Sequence, residues 1–155
     1  DSQRLDQRSW ADQYFTGVRS WAEEVCGAIA DAIHICGQPQ MDAGAKQAVL
    51  VKLSQLIDTG RWHFPNQWSD DYGVGKAPAY RGVRQPVLDC VVPAYRALAQ
   101  TGDCKEAETK LWKAQRSFVS YIQATLDPRA RDREIRRVME EFEEAQRLRD
   151  IQASH

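Results

Sequence analysis

The sequence predicts an all-α fold, a helical bundle of four to five helices with one long irregular aromatic and basic loop. Two observations carry this prediction. Hydrophobic residues recur every three or four positions along most of the chain, which is the period of an amphipathic helix. Glycine, proline and aspartate stand where such helices end and begin, and no stretch alternates cleanly enough to form a strand. Because 155 residues are the size of one ordinary domain, we expect a single all-α domain over residues 1–155.

The first two helices are predicted at about residues 9–36 and 42–59. Gly37 ends the first, because glycine adopts the conformation that follows a helix C-terminus at little cost. Asp42 is the predicted N-cap of the second helix, and Gly60 is its predicted end. The apolar positions of the first helix are Trp10, Tyr14, Val18, Trp21, Val25, Ile29, Ile33 and Cys36, and those of the second are Ala45, Val49, Leu53, Leu56 and Ile57.

Three further helices are predicted at about residues 86–100, 103–126 and 128–152. Pro86 and Pro128 suit the first turn of a helix, where the missing N–H has no partner to lose. The other local signals are Pro93 as a kink or break in the third helix, Asp103 with Glu106 as a capping box, and Asp127 as the cap of the fifth helix.

Composition limits the classes of function. The 22 acidic and 21 basic side chains nearly balance, which argues against a general nucleic-acid or membrane-surface coat. No run approaches the ~20 apolar residues that a transmembrane helix needs. None of the four cysteines forms a C-x-x-C pair and no signal peptide indicates an oxidising compartment, so we expect reduced thiols in a cytoplasmic protein. Any tether to the inner membrane would lie in a segment outside this chain.

Residues 61–84 interrupt the helical pattern. Irregular segments of this length are uncommon in compact domains and are usually functional or mobile. This one is rich in aromatic and cationic side chains, which stack on rings and pair with carboxylate or phosphate groups. The candidate binding residues are Arg61, Trp62, His63, Asn66, Tyr72, Lys76, Tyr80, Arg81, Arg84 and Asp89.

Two other interpretations of residues 61–84 stay open. The aromatic side chains could plug one end of the bundle while the arginines pair with Asp70, Asp71 and Asp89. Alternatively, some of the polar groups could take part in catalysis. The sequence alone does not choose among a plug, a binding surface and a catalytic site.

The same region carries a family resemblance. The stretches LSQLIDTGRWHFPN, GKAPAYRGVRQPVLD and SFVSYIQATLDPRARDREIRR resemble, in the same order, blocks of a family of uncharacterised bacterial helical proteins. Those blocks read G-R-x-x-F-P-N, A-Y-R-G-x-R and L-D-P-R, and the resemblance covers roughly residues 20–137. It implies a shared helical fold, a signature segment from Gly60 to Arg84, and in some members an N-terminal membrane anchor. It implies no activity.

The fifth helix is a second candidate for function. Residues 129–137 hold five arginines, and four glutamates follow within residues 140–144. Such a bipolar helix could pair antiparallel with its own copy. The alternatives are a solvated helix with internal ion pairs, or phosphate or nucleic-acid contact by the arginine end. The predicted seam of the pair is Ile135, Val138, Phe142 and Leu148, with Ala145 beside it.

Catalytic motifs are weak. The sequence contains no phosphate-binding glycine loop, zinc-protease or serine-hydrolase motif, and we predict no metal and no cofactor. Asp31 and His34 give only half of a carboxylate–histidine metal pair. Arg149 and His155 fit the R-x4–6-H pattern and so resemble the active-site motif of HEPN-type ribonucleases.

The leading hypothesis is a non-enzymatic helical interaction module that binds a partner or a small anionic ligand through residues 61–84. The first alternative is a HEPN-like, metal-independent ribonuclease acting as a dimer. The second is a small helical subunit of a nucleic-acid-binding assembly, which would use the arginine-rich start of the fifth helix.

Overall fold

The computed structural model describes residues 2–100 and 102–154 and confirms the predicted fold class, an all-α helical bundle. Within those residues the chain forms no strand, and the single β-bridge joins Gln67 to Val83. The α-helices are α1 (Ser2–Cys36), α2 (Ala43–His63), α3 (Pro86–Ala99), α4 (Cys104–Leu126) and α5 (Pro128–Ala153).

Aspartate caps begin three of these helices, as the sequence predicts. The Asp42 carboxylate accepts from the backbone N–H groups of Gly44 and Ala45 at 2.9 and 3.1 Å. Asp103 and Asp127 each accept from the N–H two residues later at 2.9 Å, at the starts of α4 and α5. These bonds satisfy N–H groups that have no partner inside the helix, so local chemistry fixes where the three helices start.

The prediction that Gly60 ends α2 is wrong. The helix continues to His63, and Gly60 is buried inside it. A Cβ at Gly60 would lie 2.5 Å from Leu88 Cδ2 and 2.6 Å from Trp21 Cζ2. Glycine therefore stands here because three helices approach closely, a tertiary contact that the local sequence does not reveal.

Two other helix predictions also change. The first helix begins at Ser2 rather than near residue 9, and its Arg4 pairs with Glu143 of α5. Pro93 does not split α3, which runs unbroken from Pro86 to Ala99. Pro93 and Asp89, the residue one turn before it, are both exposed, so water can satisfy the carbonyl that loses its helical partner.

The chain forms two compact units. We call Ser20–Ile122 the core unit, and residues 2–19 together with 123–154 the hairpin unit. The prediction of one domain over residues 1–155 stays a prediction.

Trp21 lies at the centre of the core unit. Its indole N–H donates to the Leu56 carbonyl of α2 at 2.8 Å, and its ring meets Phe118 of α4 edge-on at 5.6 Å between centroids. On the side of α3, Leu88 is fully buried. One aromatic side chain thus joins α1, α2 and α4 in the core, and its single polar atom is hydrogen-bonded.

The hairpin unit consists mainly of the first half of α1 and the whole of α5, and these two helices run antiparallel. Arg4 pairs with Glu143, and Tyr14 lies beside Glu134, where burial and that carboxylate raise the pKa of the phenol. The buried hydrophobic side chains described in this unit are Ala11, Phe15, Val18 and Ile135.

The four cysteines form no disulfide with one another, and Cys36 is buried while Cys26, Cys90 and Cys104 are half-buried. Burial raises the pKa of the thiols of Cys26, Cys36 and Cys90, which keeps them protonated and unreactive. Among the described helices, none has the length and apolar content to cross a membrane.

Candidate functional site

The segment between α2 and α3 is irregular, but its backbone closes on itself. Gln67 and Val83 exchange two backbone hydrogen bonds of 2.8 and 2.7 Å. The Gly82 N–H donates to the Tyr72 carbonyl at 3.1 Å. The Gln85 side-chain amide donates to the Pro65 carbonyl at 2.6 Å, which ties the two ends of the segment together. These bonds fix the path of residues 64–85, in which one short 3₁₀ helix, Pro78–Tyr80, is described.

Gly82 is the position on which this closure depends. Its φ is +80°, in the left-handed region that other residues seldom adopt. A Cβ there would lie 2.0 Å from the Gln67 carbonyl oxygen, the same atom that accepts the Val83 N–H bond. Only glycine lets the two backbone stretches come this close.

The first residues of the segment anchor it to the core unit. Phe64 is buried, and its ring lies 5.7 Å from that of Trp21. The His63 ring lies 6.4 Å from the same indole, and partial burial lowers the pKa of its imidazole. His63 is therefore a packing residue at the end of α2, and its side chain favours the neutral form.

Arg61, in the last turn of α2, contacts Tyr80 near the other end of the segment. Its guanidinium lies over the Tyr80 ring at 4.6 Å from the centroid. Its Nη1 atom donates to Asp58 Oδ1 at 3.1 Å and to the Ile57 carbonyl at 3.2 Å. The Tyr80 hydroxyl donates to the same Asp58 oxygen at 3.1 Å, and this bond raises the pKa of Tyr80. Three side chains thus form one cluster, in which cation–π stacking supplements the hydrogen bonds.

The other two arginines of the segment are also engaged within the chain. Arg84 Nε donates to Asp89 Oδ1 at 2.7 Å and joins the segment to the first turn of α3. Arg81 Nε donates to the Lys76 carbonyl at 2.9 Å and closes the turn between them. All three guanidinium groups of the segment therefore bind oxygen atoms of this chain.

Most apolar side chains of the segment face outward. Trp62 is 80 % exposed, Trp68 68 % and Tyr72 61 %. The Trp68 indole N–H donates to Asp70 Oδ1 at 2.8 Å, so its polar atom is satisfied while its ring stays uncovered. We call the exposed apolar side chains of α2's last turn and this segment the aromatic surface: Trp62, Trp68, Tyr72, Val74, Tyr80 and Val83.

The structure brings together some of the candidate residues predicted from the sequence and separates others. Arg61 contacts Tyr80, and Arg84 contacts Asp89. His63 packs toward the core. The side-chain oxygen of Asn66 is buried and has no hydrogen-bond partner among the described groups. The remaining candidates, Trp62, Tyr72, Lys76 and Arg81, lie along the same segment, with Arg81 half-buried and the other three exposed.

Two residues of the site, Asp58 and Trp68, were not among the candidate binding residues predicted from the sequence. Asp58 organises the Arg61–Tyr80 cluster, and its i,i+3 spacing from Arg61 becomes informative only when α2 continues past Gly60. Trp68 is among the most exposed apolar side chains of the segment, and an aromatic residue in a loop gives no local signal of whether it is buried or displayed.

The plug interpretation holds for particular side chains. Phe64 does pack on the core, and Arg84 does pair with Asp89. Arg61, however, pairs with Asp58, and Asp70 accepts from Trp68. The segment is thus a braced loop of which one aromatic ring, that of Phe64, is buried.

The residues of the other predicted sites are placed as follows. Arg149 is exposed on α5 and donates to the Ala145 carbonyl, while His155 lies outside the described residues. The His34 ring lies 3.3 Å from the Gln38 amide. The described residues hold no group of three histidine, cysteine or carboxylate side chains that could bind a metal ion.

Comparison with known proteins gives no relative from which to assign a function. No protein family, no curated protein and no solved structure matches this chain. The resemblance to a bacterial helical family stays a prediction, and the geometry of the braced loop is what a functional proposal has to rest on.

Proposed function

We propose that this chain is a non-enzymatic helical interaction module that binds a protein partner through the aromatic surface. The proposal rests on one observation. The rings of Trp68 and Tyr72 are exposed, and the backbone that carries them is held by the hydrogen bonds of Gln67 with Val83 and of Tyr72 with Gly82. Exposed Trp and Tyr rings are the kind of side chain that most often forms the energetic centre of a protein interface.

The rigidity of the segment supports binding. A partner that docks on a mobile loop must offset the entropy of ordering it, whereas this loop is already closed by backbone bonds. Trp and Tyr also lose little side-chain freedom on binding, because each has only two rotatable side-chain bonds. The braced loop is therefore suited to contribute contact area at a low cost in ordering.

The charges of the segment favour a protein partner over a small anion. Arg61, Arg81 and Arg84 are each bound to an oxygen of this chain. An anion would have to displace those oxygens, and among the segment's cations only Lys76 and Arg81 lack an acidic partner within the described residues. The rings of Trp68 and Tyr80, whose polar atoms are already hydrogen-bonded within the chain, fit an apolar-centred protein interface better.

Free thiols support a cytoplasmic location for this module. Four cysteines with no disulfide among them suit a reducing compartment.

The test compares capture by matched variants. Tagged wild type, Trp68→Ala/Tyr72→Ala and Trp112→Ala are used to capture proteins from cells of the source organism. Trp112 is a half-exposed tryptophan on α4 and serves as the control. We expect one species retained by wild type and by Trp112→Ala, lost with the double variant, and able to rebind once purified, with affinity reduced about 100-fold or more by the double change. Equal retention by all three chains would refute the proposal.

A further inference from the structure

Helices α1 and α4 run antiparallel through the core unit, and two contacts fix how they are aligned. The ring of Trp21 meets that of Phe118 edge-on at 5.6 Å. Further along α1, the Cys26 carbonyl accepts from the side-chain amide of Gln115 at 3.4 Å. Each step forward along α1 therefore corresponds to a step backward along α4.

This alignment brings the end of α1 level with the start of α4. Cys36, the last residue of α1, lies ten residues beyond Cys26. Cys104, the first residue of α4, lies eleven residues before Gln115. At about 1.5 Å per residue these stretches measure about 15 and 16.5 Å, so the two cysteines stand at nearly the same height along the helical pair.

Both cysteines also lie on the faces that the two helices turn toward the core. Cys36 follows the fully buried Ile29 by seven residues, which is close to two helical turns. Cys104 precedes the fully buried Leu111 by the same interval, and Leu111 precedes Phe118 by seven residues again. Because residues seven apart share a helix face, Cys104 lies on the face of α4 that meets α1.

The electrostatics of the Cys36 thiol indicate the same proximity. Burial raises the pKa of Cys36 most, and the negative charges of Cys104 and Glu108 raise it further. Lys46 of α2 opposes them and lowers the pKa. Since salt screens charges beyond roughly 10 Å, the first turn of α4 lies in the immediate surroundings of Cys36.

The two thiols differ in their access to solvent. Cys36 is 4 % exposed, and its raised pKa disfavours the thiolate that would attack an oxidant in solution. Cys104 is half-buried in the first turn of a helix, so it is partly accessible. An oxidant from solution therefore meets Cys104 first, and Cys36 is the thiol that follows.

We propose that Cys36 and Cys104 are a site of reversible oxidation, at which a small disulfide such as oxidised glutathione converts the two thiols to an intramolecular disulfide. The Cys104 thiolate attacks one sulfur of the oxidant, which forms a mixed disulfide and releases one glutathione thiolate. The Cys36 thiol gives its proton to water, and its sulfur attacks that of Cys104 and releases the second glutathione. The chain loses two electrons, and one oxidised glutathione is reduced to two thiols.

The position of the pair at helix ends suits this bond. A disulfide needs Cα atoms about 4.4–6.8 Å apart, which is closer than the 8–10 Å at which helix axes usually pack. A terminal residue is held by helical hydrogen bonds on one side only, so Cys36 and Cys104 can approach without breaking either helix. The bond closes a loop that contains α2, the irregular segment and α3.

The reaction is followed on the whole purified chain incubated with oxidised glutathione. Remaining thiols are alkylated, and linked peptides are identified by mass spectrometry. We expect one linked pair, Cys36 with Cys104 within a single chain, and unchanged helical content by circular dichroism. Absence of this pair, linkage of a different pair, or a bond that forms only with loss of helix would overturn the proposal.

Serine variants separate the two steps. The control, Cys26→Ser with Cys90→Ser, removes the other two thiols and should form the bond within about twofold of the wild-type rate. In that background, Cys36→Ser should stop at the mixed disulfide and keep one glutathione on Cys104. Cys104→Ser should take up none, because Cys36 is buried. A control that forms no bond, or a Cys36→Ser chain that keeps no glutathione, contradicts the assigned order of attack.

Thermal unfolding tests whether the bond fits the native fold. Oxidation should raise the Tm of the control variant by about 5 °C or more, because the bond closes a loop of roughly 70 residues and restricts the unfolded chain. Dithiothreitol should reverse the rise. An unchanged or lower Tm would mean that the bond forces the helices from their native positions, against the placement of the two thiols.

Discussion

The two units of this chain differ in what holds them. The core unit contains 23 of the 27 buried hydrophobic side chains described, and the hairpin unit contains four. Yet the hairpin unit is the more regular, since the two long helices α1 and α5 supply nearly all of it, while the core unit contains the irregular residues 64–85. Regular secondary structure and a packed core are separate properties in this molecule.

The comparison also separates two kinds of exposed apolar surface. In the core unit, the aromatic surface is presented by a loop that backbone hydrogen bonds close on itself and whose three arginines bind oxygen atoms of this chain. In the hairpin unit, Trp10 and Leu148 are exposed on helices of a unit that buries only four hydrophobic side chains among the described residues. The first surface is fixed by hydrogen bonds within a loop, whereas the second belongs to regular helices with little packed core.

The largest expected effect is on the free energy of unfolding, and it compares one phenylalanine of each unit. Phe118 is fully buried against Trp21, whereas Phe142 is half-buried. Phe118→Ala should lower the free energy of unfolding by about 4 kcal/mol, because it removes apolar burial and leaves a cavity. Phe142→Ala should cost about 1 kcal/mol or less, because this ring is only half-buried. Urea denaturation of both variants at low protein concentration measures the difference, and similar losses would mean that the two units are equally packed.

The next largest effect on stability concerns the backbone closure of residues 64–85 at Gly82. Gly82→Ala combines a left-handed φ with a Cβ placed against the Gln67 carbonyl, so we expect a loss of about 3 kcal/mol, with faster amide exchange at Val83. Gly75→Ala, in the same segment, meets no atom within 4 Å and should change stability by less than about 0.5 kcal/mol. A Gly82→Ala variant as stable as Gly75→Ala would show that the closure is not required.

A smaller effect tests the close approach of helices in the core unit. Gly60→Ala would push against Leu88 and Trp21, and we expect a loss of about 2 kcal/mol from overpacking. Gly27 is an exposed glycine inside α1, and a Cβ there would meet no atom within 4 Å. Gly27→Ala should therefore stabilise the chain by about 0.5 kcal/mol through helix propensity. Thermal unfolding of the pair should show opposite signs, and equal signs would contradict the assigned role of Gly60.

Sequence reasoning succeeded where the cause is local. The apolar period predicts the five helices, and Asp42, Asp103 and Asp127 mark three starts because a cap depends on neighbouring residues alone. It failed at Gly60, where the cause is contact with Trp21 and Leu88 from distant parts of the chain.

The candidate site shows the same limit. Residues 61–84 stand out by composition, so the location of the segment follows from the sequence. Whether a ring such as Trp68 is buried or displayed depends on backbone closure between Gln67 and Val83, which composition does not encode. The role of Asp58 depends in turn on how far α2 continues.

The smallest effect is a pH dependence confined to the hairpin unit. The Asp127 side chain accepts hydrogen bonds from the Arg129 side chain and backbone, and these bonds lower the pKa of Asp127. A carboxylate whose pKa is lower when folded stabilises the fold above its unfolded pKa, about 3.9, and loses that contribution as pH falls through the folded value. The start of α5 should therefore fray in acid, seen as lower protection factors (exchange relative to the intrinsic rate at each pH) for the amides of residues 129–133. Asp127→Asn keeps a capping oxygen without a titrating group, so its exchange should lose this pH dependence. An unchanged pH profile in that variant would place the acid-sensitive group elsewhere, with Glu134 next to examine because the Arg137 hydrogen bond lowers its pKa in the same way.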